Sequence, residues 1–143
     1  GEERDDPTSL WWNRWFQHFG FGGYDAGNFY SFVTSSPREC RQRYSEAIDG
    51  PNWHDRDELF ANLDAVVEMA KRADQVFVCF GNIAGEIDAD WNEQVLEAIQ
   101  TGVEPWPDLW CWGKTKSGAP THPMARGKHR LDPLTPPVLW RAA

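Results

Sequence analysis

The sequence predicts a mixed α/β fold, a three-layer sandwich in which helices flank a small, mostly parallel sheet. Two observations carry that expectation. Apolar stretches with helical spacing alternate with short β-prone runs, the pattern of helices packed on a sheet. Two of those runs, residues 75–80 and 109–112, are apolar and end at Gly81 and Gly113, as buried parallel strands do. The 143 residues, 41% of them hydrophobic, suffice for one domain with a real core.

Taken in order, Asp6 followed by Pro7 reads as an N-cap and first helical position, because proline's missing N–H costs nothing in the first turn. Trp11, Trp12, Trp15, Phe16 and Phe19 then share one helical face, and Gly20, Gly22 and Gly23 end the helix. That face is expected to bury against a sheet. Residues 24–33 are aromatic and β-prone but interrupted by Gly27 and Asn28, so a strand with a tightly packed or functional point is expected. Ser36, Pro37 and Glu39 form a capping-box start to a short helix running towards Ala47 and closed by Asp49, Gly50 and Pro51. Leu59, Phe60, Leu63, Val66, Val67 and Ala70 repeat at helical spacing over residues 53–72, with Asn52 as cap. Asp90 and Glu93 begin a further helix with Trp91, Val95, Leu96 and Ile99 inward and Gly102 at its end. After the strand at 109–112, five prolines from Pro120 to Pro137 predict an irregular tail. A sheet of three short strands is thin for helices this apolar, so an uncovered sheet edge is expected to serve as a surface for a homo-oligomer or another partner.

Charge and composition narrow the function. Fourteen Lys and Arg against 22 Asp and Glu, a net charge of -8, argue against tight duplex DNA binding, which needs many cationic contacts to phosphate. The three cysteines form no even framework and no paired metal spacing, and the four histidines show no close ligand spacing, which predicts reduced thiols, a cytoplasmic setting and no metal or other cofactor. No apolar run approaches the about 20 residues of a membrane helix, so no membrane association is expected. Nine Trp and eight Phe serve either as core or as platforms for a base or sugar. Their helical and strand spacing favours core, and Trp53, Trp106 and Trp140 are the candidates for a sugar-binding surface.

Against that acidic background, residues 113–130 carry Lys114, Lys116, Arg126, Lys128 and Arg130 with His122 and His129, and no Asp or Glu. A basic loop following a strand suits an anionic group. Gly113-Lys114-Thr115 ends like a phosphate-binding P-loop, yet Asp108 stands where the upstream glycine belongs and Ser117-Gly118-Ala119-Pro120 does not start a helix. What survives is Lys114, Thr115 and Lys116 beside turn amides as an anion-binding group, with a solvated lysine loop as the plain alternative. His122, restrained by Pro123, is the candidate acid, base or donor. Asp5 and Asp6 are candidate paired acids. Capping accounts for Asp6 and leaves Asp5 as the second catalytic candidate. Asn28, disfavoured in a strand, has an amide able to read a nucleobase edge, or it closes a bulge beside Gly27. Gly81 and Asn82 sit at a strand's C-terminal end, where ligands of α/β proteins gather. Asn28, Gly81, Asn82 and the loop from Gly113 are expected to converge on one crevice.

The motifs DDPT (residues 5–8), FGFGGYDAGNFYSF (19–32), GPNWHD (50–55), FGN (80–82) and GKTKSGAPTHPM (113–124), in this order, resemble the bacterial, archaeal and phage family catalogued as domain of unknown function 1643. That resemblance implies a compact α/β domain with a pocket built from the shared motifs, not a particular reaction. Members open with a strand ending in an Asn-Pro-Ser-Thr-like turn before DDPT, whereas this sequence starts at Gly1, past that turn, so a first strand is expected to be absent from it. The order strand-Asn, strand-Gly, strand then His-Pro is also distantly similar to the uracil-DNA glycosylase superfamily. By that similarity Asn28 matches the base-reading Asn and His122 the histidine that stabilises the leaving base. The superfamily's water-activating residue follows its first strand, the element expected to be absent here, which argues against hydrolytic glycosylase chemistry. The leading expectation is a nucleotide- or nucleobase-binding α/β domain with glycosylase-like or phosphate-directed activity. The alternative is a non-catalytic binder that sequesters a small anionic ligand or engages a protein partner.

Overall fold

In a computed structural model of the chain, residues 7–29, 37–83, 86–124 and 131–143 are described. Among them the chain is mixed α/β, with helices α1 (Pro7–His18), α2 (Pro37–Ile48), α3 (Trp53–Arg72) and α4 (Glu86–Gly102) and strands β1 (Val76–Phe77), β2 (Leu109–Cys111) and β3 (Val138–Arg141). The chain divides into two compact units. One gathers residues 1–25, 74–83 and 108–143; the other gathers 26–73 and 84–107.

The first unit holds the sheet, in the order β1-β2-β3. β1 and β2 are parallel, with Val76 opposite Leu109 and Phe77 opposite Trp110. β3 runs antiparallel to β2, pairing Val138 with Cys111 and Arg141 with Leu109. The expected strands at 75–80 and 109–112 are thus present but shorter. The expected irregular tail instead supplies β3, because its prolines stop at Pro137 and leave Val138-Leu139-Trp140 free to donate to a ladder. The aromatic face of α1 is buried as its spacing predicts. Trp11, Trp15 and Phe16 form a core cluster with Trp112, and Phe77 of β1 stacks on Trp112 at 5.0 Å between ring centroids. The Trp15 indole donates to the Thr135 carbonyl at 2.7 Å and the Trp11 indole to the Leu131 carbonyl at 3.4 Å, so the tail satisfies donors of the first helix.

The second unit is helical. α3 begins where Asn52 caps it, the Asn52 carboxamide oxygen accepting the Asp55 backbone N–H at 3.1 Å. Asp55 is buried and receives both Nε and Nη2 of Arg43 from α2, a forked pair at 3.1 and 2.9 Å that joins the two helices. Leu59 and Ala70 of α3 are buried with Tyr44 and Ala47 of α2 and Trp91, Val95, Leu96 and Ile99 of α4. α4 starts at Glu86, four residues before the expected Asp90. Residues 24–29 form no strand; the remainder of the expected strand, 30–33, lies outside the described residues. Instead Gly27 and Asn28 lie against α3: a Cβ on Gly27 would sit 3.1 Å from Val66, and Asn62 donates to the Asn28 carbonyl at 2.7 Å.

Candidate functional site

The chain leaves β2 at Cys111 and turns back on itself. Thr115 N–H donates to the Ala119 carbonyl at 2.8 Å, Gly118 N–H to the Thr115 carbonyl at 2.9 Å, and Thr121 N–H to the Gly113 carbonyl at 2.9 Å. This is a hairpin with a three-residue loop, Lys116-Ser117-Gly118, whose last residue needs the left-handed region; Gly118 has φ +88°. The residues after Gly113-Lys114-Thr115 therefore form a hairpin and not a phosphate-binding helix.

The loop after β1 is fastened to this hairpin. Gly81, at φ +72°, turns its N–H onto the Pro120 carbonyl at 2.8 Å. Asn82 then accepts two hydroxyls on its side-chain oxygen, Thr115 Oγ1 at 2.7 Å and Ser117 Oγ at 2.8 Å. Ala119 N–H donates to Thr115 Oγ1 at 3.2 Å. Gly81, Asn82 and Thr115 are thus brought together as the sequence suggested, but the Thr115 hydroxyl is occupied within the fold. Ser117, which sequence reasoning passed over, completes the clasp. Its only sequence signal is its place two residues after Thr115, where a hairpin turn returns the side chain towards the same partner.

Lys114 and Lys116 are exposed and form no ion pair among the described residues. His122 follows the hairpin between buried Thr121 and Pro123. Met124 N–H donates to His122 Nδ1 at 3.0 Å, which demands a lone pair on Nδ1 and places the ring proton on Nε2. Partial burial lowers the imidazole pKa. His122 therefore stands neutral near pH 7 as an Nε2–H donor rather than as a cation.

Trp140 of β3 borders the same loops. Its indole donates to the Gly118 carbonyl at 2.9 Å, its ring meets Phe80 edge-on at 5.5 Å, and the Arg141 guanidinium lies 4.8 Å from its centroid. The proline-rich sequence before it hid this strand and with it the aromatic neighbour of Gly118 and Phe80. Trp53 and Trp106, the other candidates for a sugar-binding surface, are exposed and belong to the helical unit.

Asn28 is exposed and belongs to the helical unit, whereas Gly81, Asn82, Lys114, Thr115, Lys116 and His122 belong to the sheet unit. Asp5, and Arg126, Lys128, His129 and Arg130 of the basic stretch, lie outside the described residues. Among the described residues no group of three or more His, Cys, Asp or Glu is placed to hold a metal, and no helix is long and apolar enough to cross a membrane. Burial pushes the Cys79 thiol up to about 11 and raises Cys111 as well, so neither supplies a thiolate nucleophile at neutral pH.

Residues 1–124 match a family model described as "Protein of unknown function (DUF1643)". No curated protein and no solved structure gives a significant match to the chain.

Proposed function

The chain belongs to the family of proteins of unknown function DUF1643, and from that premise we propose that its sheet unit binds a nucleotide or nucleobase beside the 113–124 hairpin. The observation that carries this reading is the clasp of Gly81 and Asn82 onto the hairpin, which joins the amide of the loop after β1 to a loop whose two lysines form no ion pair among the described residues. Lys114 and Lys116 hold the anionic group. His122 donates from Nε2 to charge developing on a leaving group, the role expected of a neutral imidazole in glycosylase-like or phosphate-directed chemistry. Asp5 is the second catalytic candidate, and the distant similarity to the uracil-DNA glycosylase superfamily belongs to this reading. So do a three-layer arrangement, a cytoplasmic setting and a bacterial or phage source.

Thermal-shift titration with nucleotides and modified nucleosides tests it: the reading expects stabilisation by at least one, and none by any would sink it. A second reading, non-catalytic binding of a small anion or a protein, is favoured by exposed Val138 and Leu139 on β3, an edge of the described sheet. Mass spectrometry after incubation separates the two, since intact ligand supports sequestration and a cleaved product supports an enzyme. Concentration-dependent sedimentation addresses self-association through the sheet edge.

A further inference from the structure

We infer that the Asn82 end of this site takes a phosphoryl group, and that Thr115 and Ser117 act there as positioning residues rather than as ligand contacts. The inference deepens the nucleotide reading above, choosing a phosphorylated ligand over a free base. It begins with the orientation of one amide. The contacts from Asn82 to Thr115 Oγ1 and Ser117 Oγ measure 2.7 and 2.8 Å, the lengths of O–H···O bonds and shorter than the usual N–H···O bond. The two hydroxyl oxygens are 3.2 Å apart. Seen from the Asn82 atom they therefore subtend about 70°, too narrow for two N–H bonds diverging by roughly 120° but within the broad arc over which a carbonyl oxygen accepts.

Both measures place the carboxamide oxygen in the clasp. The Asn82 NH2 then has no partner among the described residues, on an exposed side chain. Lys114 and Lys116, which flank Thr115 on the hairpin, are also donors, and residues 113–124 contain no carboxylate. The Asn82, Lys114 and Lys116 side-chain groups left without a partner among the described residues are thus all donors. A nucleobase edge mixes acceptors with N–H groups, which would meet these donors head-on. A phosphoryl group carries only acceptor oxygens and negative charge, and matches these donors.

Calorimetry with inorganic phosphate, uridine 5′-monophosphate and uridine tests the inference, together with amide NMR of the full chain. The Asn82 NH2 signal is identified by its loss in Asn82→Asp, a variant that keeps an oxygen to accept both hydroxyls and replaces the amide donor with negative charge. Phosphate and the nucleotide are expected to move that signal. Asn82→Asp is expected to weaken both by roughly tenfold or more while leaving uridine affinity unchanged. The double variant Thr115→Val, Ser117→Ala frees the amide to rotate and is expected to lower affinity for the nucleotide, again without change for uridine. A merely structural clasp would shift all ligands together. Equal losses for nucleotide and nucleoside, a signal unmoved by phosphate, or no binding of phosphate and nucleotide overturns the inference. Phosphate binding with the expected signature, but no added affinity for the nucleotide, upholds it and defeats the nucleotide reading.

Discussion

At the residue scale, three buried indoles of the sheet unit differ in one respect that bears on stability. Trp11 and Trp15 donate to tail carbonyls, while the Trp112 Nε1, equally removed from solvent, has no partner among the described residues. A buried donor without a partner costs about 1–3 kcal/mol, so converting Trp112 to Phe removes a penalty along with some packing. Trp15→Phe removes packing and also strands the Thr135 carbonyl. The expected result in urea unfolding is that Trp15→Phe destabilises more than Trp112→Phe, by about 1–2 kcal/mol. Equal losses would point to a partner for Trp112. His122 gives a second residue-scale prediction. Its folded-state pKa lies below the ordinary value of about 6.5, so on acidification the unfolded chain takes up the proton first. The stability it contributes is present above that ordinary value and is lost as pH falls towards the folded pKa. Unfolding midpoints across this range are expected to fall less on acidification in His122→Gln than in the native chain, and NMR titration of the ring should give a pKa below 6.5.

At the element scale, the helices were the legible part, because their boundaries are written in local chemistry. Asn52 caps α3 through its own side chain, and Pro37 stands at the first position of α2. Asn52→Ala is expected to cost about 1 kcal/mol, with α3 fraying first in hydrogen exchange. The strands were less legible. β1 keeps two of six expected residues, and β3 was missed, since its pairing with β2 is long-range and its four residues show no alternation that separates an edge strand from a tail. Residues 24–29 failed as a strand for the opposite reason: their β-prone aromatics pack without a ladder, with Gly27 drawn close to α3. The site was half legible. Gly81, Asn82 and Thr115 meet because the loop after β1 reaches the hairpin that follows its parallel neighbour β2, but that Thr115 is already hydrogen-bonded belongs to the fold and not to any motif. Gly118 gives the hairpin's own prediction. At φ +88°, with nothing within 4 Å of an added Cβ, Gly118→Ala is a purely conformational cost of about 1–2 kcal/mol. It is expected to loosen the turn carrying Lys116, read as faster exchange of the Thr115 and Gly118 amides.

At the scale of the whole molecule, the two units are interleaved along the chain, and the sheet unit is closed by residues that follow the matched family motifs. The family match ends at residue 124, yet Leu131, Thr135 and β3 complete the core that α1 begins. The tail supplies the acceptors for two buried indoles, the antiparallel partner of β2, and Trp140, whose indole fastens the Gly118 turn. Deleting residues 131–143 therefore strands the Trp11 and Trp15 donors, at about 1–3 kcal/mol each, and turns β2 into an uncovered edge. The helical unit draws none of its residues from that segment. The truncated chain is accordingly expected to keep most of its far-ultraviolet helical signal while its tryptophan emission shifts to longer wavelength and its near-ultraviolet aromatic signal weakens. It should also lose any phosphate response at Asn82, because the hairpin is no longer held from the β3 side. Retention of native tryptophan emission after the deletion would show that the motif-bearing segment closes its own core and that the tail is dispensable to the site.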